Sequence, residues 1–100
     1  MKEIKMLAHQ IRDELDVAEE YAKCAAKWKD ERPAEAADYT EMARDELDHA
    51  DKLHKMAVRA IDKAKESGTT APTAMTAVWD WEHENMLDCV AKVKTLLNMM

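Results

Sequence analysis

Glu46 and His49 stand three residues apart in the stretch Met42-Ala-Arg-Asp-Glu46-Leu-Asp-His49-Ala-Asp-Lys-Leu53. On a helix this spacing puts a carboxylate and an imidazole on one face, one turn apart, where both can close on a single metal ion. Asp51 before His54 and Asp80 before His83 repeat the spacing. With 21 acidic residues and four histidines in 100, chance alone supplies about one such pair, so spacing by itself decides little. Position in the helical pattern says more. Met42, Glu46, His49, Leu53, Met56 and Ala60 recur at alternating steps of four and three, which predicts the buried seam of a helix. The candidate ligands then occupy positions where apolar side chains are expected.

Three helices must carry these residues. The first is expected over about residues 2–30, with the seam Ile4, Leu7, Ile11, Glu14, Ala18, Tyr21, Ala25, Trp28. Pro33 suits the opening turn of a second helix, expected to run to about residue 67. Gly68 is placed for a left-handed C-cap, with Thr70 as N-cap and Pro72 in the first turn of a third helix over 72–98. The third seam reads Met75, Val78 or Trp79, Glu82, Met86, Cys89, Val93, Leu96, Met100. The expected architecture is therefore all-α, an up-down-up bundle of three long helices in a single domain.

Each seam contains one glutamate: Glu14, Glu46 and Glu82. A buried, unpaired carboxylate costs several kcal/mol even after relaxation. Three such costs weigh heavily on a small domain. The carboxylates could share protons, pair with lysine or arginine, stay wet at a seam edge, or bind cations. A metal cluster resolves burial and repulsion together, and carboxylate-rich ligation with an imidazole suits Fe or Mn, with Zn also open.

Composition narrows the alternatives. Gly is 1, Pro 2 and Phe 0 among 100 residues, which favours helix nearly throughout. A net charge of −6 disfavours nucleic acid and anionic membranes as partners. No stretch approaches a membrane-spanning apolar run, and the charged start does not read as a signal peptide. One glycine excludes a Gly-rich phosphate loop, and no Ser-His-Asp or Cys-His arrangement is apparent. Cys24 and Cys89 read as two lone thiols in helical pattern, consistent with a reduced cytoplasm.

Several segments together resemble the ferritin-like superfamily of di-iron carboxylate proteins. Glu14 followed seven residues later by Tyr21 looks like the ligand and supporting tyrosine of a ferritin first helix. Asp45-Glu46-Leu-Asp-His49-Ala50-Asp-Lys-Leu53 is similar to the acidic-Glu-x-x-His-Ala-x-x-Leu signature of the second. Ala74-Met75-Thr-Ala77-Val-Trp-Asp-Trp-Glu82 loosely resembles the third helix running into its ligand. The resemblance implies Glu14 and His49 as terminal ligands, Glu46 bridging two irons, and Glu82 on the second. It implies that Tyr21 and Asp45 stand just behind the ligands. The implied activity is oxidation of Fe(II) by O₂ or peroxide, or iron handling, in the cytoplasm or within a protein shell.

The chain also departs from that family. A fourth helix is missing, and the turn near Gly68 is short. From that turn Glu46 lies at a height of about 32 Å and Glu82 at about 16 Å. Either the second helix breaks early or Glu82 belongs elsewhere. Two copies of Glu14 and of Glu46-x-x-His49 would equal the ligand set of a di-iron bundle, so a homodimer is the consistent solution. Encapsulated ferritins resemble this arrangement. The competing expectation is a metal-free helical interaction module with a wet or protonated acidic seam. Asp80 with His83 is a further, secondary metal site to consider, although an edge histidine satisfied by a neighbouring carboxylate is the plainer expectation. His9 and His54 are expected on the surface, and one of Trp79 and Trp81 in the core.

Overall fold

A computed structural model describes residues 2–68 and 73–99, and the side chains of all of these except 73–78. The described residues form three helices, α1 (Lys2–Trp28), α2 (Pro33–Glu66) and α3 (Thr73–Asn98), and no strand. The all-α expectation holds, with helix ends within two residues of those read from the sequence.

The turns follow from the breakers. Pro33 occupies the start of α2, where its missing N–H leaves nothing unsatisfied and its fixed φ suits the first turn. The Arg32 N–H donates to the Trp28 carbonyl at 2.8 Å, and the Ala36 N–H donates to the Arg32 carbonyl at 3.0 Å. Lys27 and Arg32 lie over the Trp28 ring, 5.0 and 4.8 Å from its centre, adding cation–π attraction at the same turn. At the far end of α2, Gly68 takes φ +75°, a left-handed conformation that glycine adopts without a Cβ clash. Thr70 and Pro72, expected to open α3, lie outside the described residues.

Alanine sets how closely α1 and α2 approach. Ala36, Ala43, Ala50 and Ala57 recur every seven residues along α2 and are all buried. Ala18, Ala22 and Ala25 answer them on α1, each without exposed surface. Helices that meet through alanine lie near the short end of the usual ~8–10 Å axis separation. Glu14 meets His49 while Tyr21 meets Tyr39, so α2 runs back along α1.

Helix α3 packs on another flank of α1. Arg12 pairs with Glu82 and Glu19 with Lys92, so α3 runs in the same sense as α1. Ile11, Leu15, Ala50 and Met86 form one core cluster, and Ala18, Ala22, Ala43, Val93 and Leu97 form the other. Burying each large aliphatic side chain among these contributes roughly 1.5–3 kcal/mol. Helices α2 and α3 approach each other closely at few points and meet mainly through the clusters they share with α1. The molecule is a narrow rod of 56 × 18 × 17 Å.

Because α1 serves two neighbours, its buried stripe is broader than one seam. It includes Leu15 and Ala22, whereas Glu14 and Tyr21 sit half-buried beside it. On α2 the packing face is shifted by one position. The row Met42, Glu46, His49, Leu53, Met56 is not its buried seam but the edge beside it, with Met42 39% and Met56 43% exposed. The alanine row one position away carries the packing instead. Among the described residues, no helix is long and apolar enough to cross a membrane.

Candidate metal centre

The α1–α2 antiparallel pair brings Glu14, Glu46 and His49 together at mid-length. One His49 nitrogen, Nδ1, lies 3.6 Å from Glu14 Oε2 and 3.7 Å from Glu46 Oε2. A donor atom from each of the three lies within 4.8 Å of the others. Donors bound about 2.1 Å from one ion stand at most about 4.2 Å apart, so side-chain rotation suffices to close this set. Among the described residues it is the one group of three or more His, Cys, Asp or Glu side chains that meets this condition.

Local sequence explains the convergence. Glu46 and His49 stack one turn apart on α2, and Glu14 reaches across from α1 because the alanine interface holds the helices close. The donors stand at the edge of that interface: the Glu46 side chain is 20% exposed and that of His49 53%. Two carboxylates and one imidazole form a hard, oxygen-rich donor set with room for further ligands. This chemistry fits Fe, Mn or Zn held at an open site.

Glu82 lies elsewhere. Its carboxylate meets the Arg12 guanidinium at 3.4 Å on the side of α1 that faces α3. Arg12 and Glu14, two positions apart in a helix, point about 160° from one another, so α1 stands between Glu82 and the cluster. Helix α2 does not break early, and Glu82 takes the second of the two options its height left open. Tyr21 lies two turns from Glu14, its ring 6.0 Å from that of Tyr39. Asp45 and Asp80 are exposed.

His83 joins neither the cluster nor Asp80 in a group of three donors. It stacks on His54 with ring centres 5.0 Å apart and on Trp79 at 6.1 Å. His54 is therefore half-buried rather than on the surface. The signal for this contact lay in the i, i+4 pair Trp79 and His83, a flat face able to receive a ring from α2. Trp81 is the exposed tryptophan, at 58%. Cys24 and Cys89 are half-buried free thiols. Burial and the nearby Glu19 carboxylate push the Cys89 thiol up from its ordinary value, which favours the inert, protonated form.

No protein-family model, curated protein or solved structure matches this chain.

Proposed function

We propose that this protein binds transition-metal ions through Glu14, Glu46 and His49, and that two copies complete a ferritin-like di-iron centre. The observation that carries the reading is the meeting of those three side chains across two helices. One chain supplies half of the Glu, Glu-x-x-His complement that di-iron bundles use. In this reading the three-helix, up-down-up unit completes a four-helix core by dimerisation. The second copy would cover the edge where Met42 and Met56 are exposed and Val17, Tyr21 and Cys24 are half-buried.

Iron held there would supply electrons to O₂ or peroxide, making the activity a ferroxidase-like oxidation of Fe(II) or iron handling. The chain's residues hold the ions, balance their charge and leave positions open for the oxidant. The cellular setting proposed is the cytoplasm or the interior of a protein shell.

A second reading has its own support. His49 already lies 3.6 and 3.7 Å from the two carboxylates, so the three side chains can satisfy one another in a metal-free interaction module. Glu46→Gln separates the two. It keeps the shape of the side chain and removes a charged ligand. The metal reading expects Mn(II) or Fe(II) affinity to fall by more than about tenfold, since even supporting residues of metal sites are worth 10–100-fold. Equal affinity in the variant and the parent would overturn it.

A further inference from the structure

The sparse contact between α2 and α3 contains a stack of three rings. His54 of α2 lies 5.0 Å from His83 of α3, the two planes inclined by 17°. Trp79 lies 6.2 Å from His54 and 6.1 Å from His83. Beside this stack a groove of about 670 Å³ runs between the helices, floored by Ile11 and Leu15 of α1 and walled by Leu47, Met86 and Val90.

We propose that His54 and His83 form an acid-release latch: protonation of the stacked imidazoles parts α2 from α3 and opens the apolar groove between them. Two neutral rings pack favourably face to face, whereas two imidazolium ions at this separation repel. The two helix backbones approach closely at few points, so the repulsion works against the side-chain clusters that both share with α1 rather than against a close helix interface.

The surrounding charges permit the switch. Helix α2 contributes Arg44, Asp48 and Asp51 to the groove, and α3 contributes Lys94. Helix α1 contributes only apolar side chains there. Asp51, the carboxylate acting on His54, is already engaged by Lys55 at 3.0 Å. Burial, followed by the neighbouring His83, holds His54 below its ordinary value of 6.5, against an opposing pull from Asp51. A depressed imidazole favours the neutral form in the packed state. The latch is therefore at full strength above about pH 6.5 and weakens as pH falls through the lower, folded-state value. Carboxylates begin to titrate lower still, so a window from pH 8 to 5 isolates the imidazoles.

The test uses the full chain with chelator throughout, which leaves the metal-site reading untouched. Trp79 fluorescence is followed from pH 8 to 5 in a Trp28→Phe, Trp81→Phe background, because parting the helices exposes the indole to water and shifts its emission to longer wavelength. Binding of a hydrophobic dye to the chain with all tryptophans intact is followed over the same range. The expected result is a red shift of Trp79 emission below pH 6.5 together with an increase in dye binding of about twofold or more. Both should be lost in His54→Gln. Flat signals, or an unchanged transition in His54→Gln, would overturn the latch. Should the double tryptophan variant fail to fold, dye binding to the parent and to His54→Gln decides alone. His9 and His49, which lie elsewhere, remain in both proteins and cannot explain a difference between them.

Discussion

Ala43→Leu tests whether the alanine row of α2 positions the Glu14, Glu46 and His49 side chains. Ala43 has no exposed surface and packs among Ala18, Ala22, Val93 and Leu97. It stands three residues before Glu46, one turn from the site. Leucine adds three carbon atoms where no surface is open. Overpacking of this kind costs typically ~1–3 kcal/mol. For a domain of this size each kcal/mol lowers the unfolding midpoint by ~4–8 °C, giving a fall of roughly 4–24 °C. Relief by separation would widen the α1–α2 spacing by up to about 2 Å, the difference between alanine-lined and larger-residue interfaces. A widening of that size would carry the 3.6 Å approach of His49 to Glu14 well past the ~4.2 Å at which two donors can share one ion. Circular dichroism melting without metal, followed by Mn(II) titration of the folded variant, measures the two effects separately. Unchanged stability with unchanged affinity would refute both the packing role of the row and its control of the site.

Two further predictions concern α3. Val93→Ala empties a fully buried position and should cost roughly 1–3 kcal/mol; a urea midpoint equal to that of the parent would show that α3 is not docked as described. Lys92→Ala removes the principal partner that, with Lys23, holds the Glu19 carboxylate below its ordinary 4.5. A depressed carboxylate stabilises above its unfolded value and loses that effect as pH falls through the folded one. The parent should thus be slightly more stable than the variant at pH 6, with the gap closing below about pH 4.5. Paired melts across pH check this, and a gap independent of pH would contradict the pairing.

Much of the fold was readable because its signals are local. Pro33 and Gly68 interrupt long runs of helix-forming residues, and the helices stop and start there. The facing of the helices was harder to read. Alanine is indifferent between core and surface, so the row Ala36, Ala43, Ala50, Ala57 was overshadowed by the more apolar row of Met42, Leu53 and Met56 beside it. Glu46 and His49 thus read as buried, although they stand at an edge. Their meeting with Glu14 was still foreseeable, because both helices are counted from the same turn at Pro33. Glu82 had no such common origin. Its partner Arg12 lies 70 residues away, and nothing in the spacing announces which flank of α1 receives α3. Trp79 and His83 at i, i+4 mark a flat face on α3, but that His54 is the ring it receives depends on how two helices with sparse mutual contact are rotated.

Metal binding by Glu14, Glu46 and His49 in a site shared by two copies is open to a decisive measurement. The most direct measurement loads the purified chain anaerobically with Fe(II), removes excess ion, and determines iron per chain and molecular mass on the same sample. A shared site gives about one iron per chain in a particle of twice the chain mass, the two-metal count of a completed carboxylate bundle. A monomer that retains no iron would contradict it.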